Sequence, residues 1–151
     1  MNKAEVENRG LDQDIFDVLC NALEKQHFRQ TLGLEVIYLG KGIAGIKMIP
    51  DPKYSSPGGR VHGGILATMA DTVMGVAAIT INRQLYRTLD IDLTYLAPAF
   101  EETEITAEAC VVHQGNTIAL VEASLFNDKG KLITKGKGTF IRDITVNSIE
   151  E

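Results

Sequence analysis

The sequence predicts an α+β protein in which an antiparallel β-sheet wraps a long central α-helix, with a further helix ahead of it. Three observations point there: residues 63–82 are apolar all round, β-rich runs separated by tight-turn residues flank them, and 151 residues suit one domain. A chain of this size buries about two thirds of the surface its unfolded form exposes, so a single core is expected. Apolar residues make up 44% and charged residues 23%, which leaves no room for a disordered or low-complexity chain. The expected division is an N-terminal extension and helix over 1–31, the sheet-and-helix domain over 32–142, and a C-terminal tail over 143–151. No internal repeat is visible.

From Asp12 to about Arg29, Ile15, Val18, Leu19, Ala22 and Leu23 fall at steps of three and four behind Asp12 and Asp14, which favour a helix N-terminus. One amphipathic helix is expected there. The runs "EVIYLG" and "IAGIKMIP" flank Gly40-Lys41-Gly42, whose backbone freedom allows a tight reversal, and so read as a hairpin. Pro50, Pro52 and Pro57 with Gly58 and Gly59 then enforce a loop.

From Gly63 to about Asn82 only Asp71 is charged, and apolar side chains point in every direction. Burial on most sides follows. A membrane span is the competing explanation, but Asp71, three threonines and three glycines make the stretch too polar for one. Strands are expected near 87–96, 104–113, 117–126 and 131–142, as a four-stranded meander. In "EITAEACVVH" the alternation of Ile105, Ala107, Ala109 and Val111 with polar neighbours has the period of a half-buried strand, and "HQGNT" and "NDKG" supply the turns.

Composition also excludes partners. With 20 acidic and 15 basic residues the net charge is −5, which argues against binding phosphate backbones or an anionic membrane surface. "MNKAEVENRG" lacks the apolar core of a secretory signal, so a cytoplasmic location is expected. Cys20 and Cys110 are far apart and each lies in an apolar pattern, so two buried thiols are expected rather than a disulfide. His27, His62 and His113 are scattered, so a structural metal is not expected.

The chemistry concentrates in "GGRVHGGILATMADTVMGVAA", residues 58–78. A helix starting at His-Gly-Gly offers unpaired N–H groups and a positive dipole end, which can hold an oxyanion; Gly63 and Gly64 could equally serve only to let the chain pass into the core. Asp71 in mid-helix is a poor helix former and expensive to bury, unless it bonds a hydroxyl such as Thr72 or reaches solvent. Its other use is as a general base for hydrolysis. Gly63 and Asp71 are eight residues apart, roughly 12 Å along a helix axis, so one carbonyl cannot touch both. If both act on one substrate they come from two subunits related by a twofold axis, and a catalytic reading therefore predicts a homodimer with two shared sites.

"VHGGILATMADTVMGVAA" followed by "LDIDLTYLAPA" resembles the hotdog-fold acyl-CoA thioesterases of the PaaI (phenylacetate-pathway) subgroup, over roughly residues 32–142. The resemblance implies a hotdog fold, an acyl-CoA substrate, no cofactor, and a dimer that pairs into a homotetramer. It implies that Asp71 is the catalytic carboxylate, as base or as nucleophile, and that the Gly63 N–H polarises the thioester carbonyl. His62 matches the histidine that holds the loop and carbonyl, and Thr88 a hydroxyl that steers water or carboxylate. Ser56, Val61 and Gly64 fall on the substrate side, with Ser56 standing where many members carry an asparagine. Arg60, Arg83, Arg87, Lys135 and Lys137 are candidates for the CoA phosphates, each equally readable as surface charge. The alternative function is an acyl-CoA-binding module without turnover, and a dehydratase would need a histidine placed against the carboxylate, which His62 and Asp71 on one helix suit poorly.

Overall fold

The computed structural model describes residues 5–145 and residue 149. Residues 1–4 of the expected N-terminal extension, and 146–148, 150 and 151 of the expected tail, lie outside the described residues. The elements run β1 (Glu7–Arg9), α1 (Gln13–Glu24), α2 (His27–Leu32), β2 (Glu35–Gly40), β3 (Ile43–Met48), β4 (Ser55–Ser56), β5 (Arg60–Val61), α3 (Gly63–Asn82), β6 (Tyr86–Tyr95), β7 (Ile105–Gln114), β8 (Ile118–Phe126) and β9 (Leu132–Arg142). Seven strands form one sheet in the order β1, β2, β3, β7, β8, β9, β6, all antiparallel except for β1 against β2. Wrapped on α3, this is the hotdog arrangement.

The alternation seen in β7 sends Ile105, Ala107 and Ala109 inward, where they meet Ala119, Val121, Ala123 and Leu125 of β8. Alanines on this inner face, with Ala70, Ala77 and Ala78 on the helix, let α3 lie close to the sheet, while Met69, Val73 and Met74 fill the remaining space. Although α3 has the length and hydropathy of a membrane span, more than half of it is buried inside the protein. Its far end is tied to the β2–β3 turn: Gly42 N donates to Thr80 Oγ1 at 2.8 Å, and that hydroxyl donates to Ala77 O at 2.7 Å.

Four sequence expectations need correction. The first helix is two: α1 stops with Lys25 as its C-cap, and α2 starts again after Gln26, whose backbone is extended. No glycine or proline marks the break; the buried Arg29 guanidinium pins it by donating to the carbonyls of Leu23 and Leu34. The meander has three strands rather than four, because β6 pairs only with β9 at the far edge while β7 turns to β3. β1 was not foreseen, since three residues that pair parallel to a hairpin leave no periodic signal. Cys20 is buried, but Cys110 is exposed on the outer face of β7, one residue out of phase with the core positions; the two form no disulfide.

The sheet interior sets a sharp steric limit at Gly136, opposite Leu93 on β6. A Cβ there would stand 2.1 Å from Leu93 Cδ2 and 2.6 Å from the Asp92 carbonyl oxygen, and the latter is backbone that cannot swing aside. Gly136→Ala is expected to destabilise by about 2 kcal/mol or more, read as a lower midpoint in urea unfolding.

Candidate active site

The start of α3 is built by its own N-cap. His62 sits in extended backbone (φ −63°, ψ 135°) and its Nδ1 accepts a hydrogen bond from Gly64 N at 3.0 Å, the part usually played by Ser, Asp or Asn. The chain is delivered there by β4 and β5, held as His62 N donates to the Tyr54 carbonyl, Val61 N to the Ala99 carbonyl, and Ser56 Oγ to the Arg60 carbonyl at 3.2 Å. Gly63 occupies the first helical position, where an N–H has no intrahelical acceptor and meets the positive end of the helix dipole.

A cavity of about 510 Å³ opens here, lined by Arg60, Val61, Gly63, Leu66 and the segment 95–99. Tyr95 forms one wall. Its hydroxyl donates to the Gly63 carbonyl at 2.9 Å, and its ring lies so near that a Cβ on Gly63 would be 3.3 Å from Cζ. A side chain at this position is therefore tight against the β6 ring, which would have to move by a few tenths of an ångström.

Two turns further along, Asp71 is half-buried and faces a different cavity, of about 250 Å³. Its Oδ1 accepts a hydrogen bond from Thr88 Oγ1 at 2.7 Å, and no hydrogen bond to its Oδ2 is formed among the described residues. One oxygen is thus fixed while the other stays available. Strand geometry explains why Thr88 can reach. Thr88 pairs with the inward Phe140 and Asp90 with Thr139, so Leu89 is an extra residue, 57% exposed, at a β-bulge. Simple alternation from the inward Ile91 and Leu93 would turn residue 88 outward; the bulge re-aims it at the helix.

Loss of that hydroxyl is expected to matter more than loss of the methyl. Thr88→Ala should lower kcat of thioester hydrolysis by about tenfold to a hundredfold, as expected for losing a charge-assisted hydrogen bond, while Thr88→Ser retains most of it. Steady-state kinetics of the two variants checks this.

The structure therefore brings Asp71 and Thr88 together and groups Gly63 with Val61, but separates the two pairs into two cavities. His62 and Gly64 are engaged with each other in the cap, and Ser56 is absent from the lining of both cavities. Of the five basic candidates, Arg60 alone lines either cavity. Arg87 donates to Asp143 at 2.7 Å, and bonds from Thr145 followed by Arg87 hold that carboxyl below its ordinary range. Lys135 pairs with Glu122 on the outer face of the sheet, and Lys137 faces the same glutamate across the β8–β9 ladder. Arg83 closes α3 in the left-handed conformation.

Reading the sequence alone passes over Tyr95, Tyr86 and the wall residues Phe28 and Arg29. Tyr95 meets Gly63 across 32 positions of chain, and no local spacing encodes that contact. Tyr86 accepts hydrogen bonds from Asn82 and Gln114 and stands beside Thr88 in the lining of the Asp71 cavity. Among the described residues no group of three His, Cys, Asp or Glu is placed to hold a metal ion.

A sheet-wrapped helix whose glycine start has an N–H with no acceptor among the described residues, and a half-buried, hydroxyl-bound carboxylate two turns on, defines a hotdog hydrolase. The chain belongs to the thioesterase superfamily, whose family model matches residues 58–134, from the loop before α3 into β9. Human acyl-coenzyme A thioesterase 13 is 27% identical over 132 residues, covering 85% of this chain and 94% of that protein. The Escherichia coli PaaI protein from the phenylacetic acid degradation operon superposes with a TM-score of 0.83 at 22% identity, over 92% of this chain and 98% of that one. A Streptococcus mutans protein solved with acetyl CoA superposes at 0.69 with 21% identity, over 73% and 88% of the two chains.

Proposed function

We propose that this protein hydrolyses acyl-CoA thioesters to free CoA and a carboxylic acid, at sites that two copies of the chain build together. The observation that carries this is the separation of the two functional groups of α3: Gly63 opens into one cavity and Asp71 into another. Within one chain they cannot act on the same carbonyl, because eight residues of helix hold them roughly 12 Å apart.

A second copy resolves the conflict. β6 is an edge strand of ten residues, bonded on one side to β9, and it carries Thr88 and the exposed Leu89 and Tyr95. Long uncovered edges are ready templates for pairing with another chain. Antiparallel pairing of β6 with β6 about a twofold axis extends the sheet across the dimer, lays the two α3 helices side by side in opposite directions, and brings Gly63 of one copy towards Asp71 of the other. The dimer pairing again into a tetramer accords with the PaaI resemblance.

In such a site the thioester carbonyl oxygen lies at the Gly63 N–H and the helix dipole. Asp71, held by Thr88, takes a proton from water as that water attacks the carbonyl carbon, or attacks the carbon itself. Charge develops on the carbonyl oxygen, where the N–H and dipole stabilise it. The C–S bond then breaks and the departing CoA thiolate takes up the proton removed from water; on the nucleophilic route CoA leaves as thiolate from a mixed anhydride on Asp71, and water then hydrolyses that anhydride, freeing the acid and the carboxylate and supplying the thiol proton. Human acyl-coenzyme A thioesterase 13 and the acetyl-CoA-bound streptococcal protein support the substrate class.

The test is release of free thiol from a panel of short, medium, long and aromatic acyl-CoA esters, with the oligomeric state measured by sedimentation. Turnover by a dimer or tetramer supports the proposal. Tight acyl-CoA binding with no release on any ester would instead make the protein a binding module, and an active monomer would overturn the shared site.

A further inference from the structure

Resting on the hydrolase reading, the cavity at Asp71 carries a further inference about which acyl groups it takes. Several elements line it. α3 contributes Asp71 and Gly75, the β6 side Tyr86 and Thr88, and the α1–α2 corner Phe28 and Arg29, with Phe140 of β9 also in the lining. That corner lies ahead of residue 58, where the family match begins.

The corner is fixed in place. Arg29 is 2% exposed, donates to the Leu23 carbonyl at the end of α1 and to the Leu34 carbonyl beyond α2, and has no carboxylate partner among the described residues. It thus clamps the turn rather than neutralising Asp71. With the backbone held, Phe28 stands at the cavity with 60% of its surface exposed, an apolar ring not absorbed by the core. In the lining of the same cavity, Gly75 is one helical turn from Asp71, and a Cβ there would meet nothing nearer than Phe140 Cε1 at 3.9 Å. The missing side chain leaves the cavity floor open.

The available space is about 250 Å³, below the 300–1,000 Å³ typical of sites that enclose drug-sized ligands. A short acyl group fits within this one copy's share of the site, and a longer chain extends beyond it. We propose that the α1–α2 corner is the length gate of the acyl pocket, with Phe28 as the residue that limits chain length over the open floor at Gly75. Binding in this pocket is apolar contact, so each methylene that clashes or fits is worth a factor of about ten to two hundred in kcat/KM.

The experiment compares kcat/KM on acetyl-, butyryl-, octanoyl-, dodecanoyl- and palmitoyl-CoA for the full chain, Phe28→Ala, Phe28→Trp and Gly75→Val. Phe28 is mostly exposed, so its substitutions leave the core untouched. Removing the ring is expected to raise the dodecanoyl-to-butyryl ratio by at least about tenfold, while Phe28→Trp and Gly75→Val lower the octanoyl-to-acetyl ratio by a similar factor. A wild-type enzyme that turns over esters with a length profile unchanged in all three variants overturns the gate and leaves the hydrolase reading standing. Absence of turnover on every ester, by wild type and variants alike, overturns the hydrolase reading and the gate with it.

Discussion

Asp71→Asn is expected to lower thioester turnover by about a hundredfold to ten-thousandfold, the range that removal of a general base commands, and by more if the carboxylate is the nucleophile. The substitution isolates chemistry from folding. Asparagine has nearly the same volume and helix propensity as aspartate, and its carbonyl oxygen can still accept the hydrogen bond that Thr88 gives at 2.7 Å. What it lacks is a site for a proton taken from water, or a charge to attack the carbonyl. Because Asp71 is half-buried rather than sealed in the core, the unfolding midpoint should move little. Kinetics on the best ester, paired with urea unfolding of the same sample, separates the two effects. Turnover within threefold of wild type would remove Asp71 from the mechanism.

Gly63→Pro is expected to lower kcat by about a hundredfold to a thousandfold, the usual effect of deleting one oxyanion donor. Proline elsewhere in a helix would break it, but the first helical position has no intrahelical acceptor for its N–H to lose, and proline is favoured there. The preceding residue is also suited: His62 already holds φ −63° and ψ 135°, in the extended region that a residue before proline prefers. The one steric demand is on Tyr95, whose Cζ lies 3.3 Å from the new Cβ position and must yield by a few tenths of an ångström. Tyr95→Phe alone measures what is lost if that movement breaks the bond from the Tyr95 hydroxyl to the Gly63 carbonyl. A loss of kcat with little change in KM is the expected signature of an interaction made mainly in the transition state.

Much of this architecture can be read from periodicity. The all-round apolarity of residues 63–82 requires a buried helix, the alternation in 105–111 requires a strand with one face inward, and Asp71 stands out because nothing else in that helix is charged. The hairpin at Gly40-Lys41-Gly42 follows from local turn chemistry. The failures share one cause, which is that they depend on partners distant in the chain. The place of β6 beside β9 rather than β7, the bulge at Leu89 that turns Thr88 inward, and the approach of Tyr95 to Gly63 are all settled by tertiary pairing. The break between α1 and α2 depends on Arg29 finding carbonyls at Leu23 and Leu34, whereas an arginine on an amphipathic helix ordinarily signals a solvated face.

The two-cavity arrangement also explains why a shared site is compatible with a helix that is mainly structural. α3 is the core of the fold, and its buried residues span nearly its full length. Its glycine start and its one carboxylate are not sealed in the core, and they sit at positions where β6, through Tyr95 and Thr88, already holds them. Positioning comes from the core without further cost in ordered loops.

Subunit mixing tests the shared site most directly. Asp71→Asn and Gly63→Pro, each nearly inactive alone, are unfolded together and refolded at equal concentration, and thiol release is measured. If Gly63 of one chain acts with Asp71 of the other, each heterodimer holds one intact site and one doubly altered site, and the mixture should recover about a quarter of wild-type activity by random pairing. Activity that stays at the level of the separate variants, in a mixture shown to contain heterodimers, would place both groups in one chain's site and contradict the account.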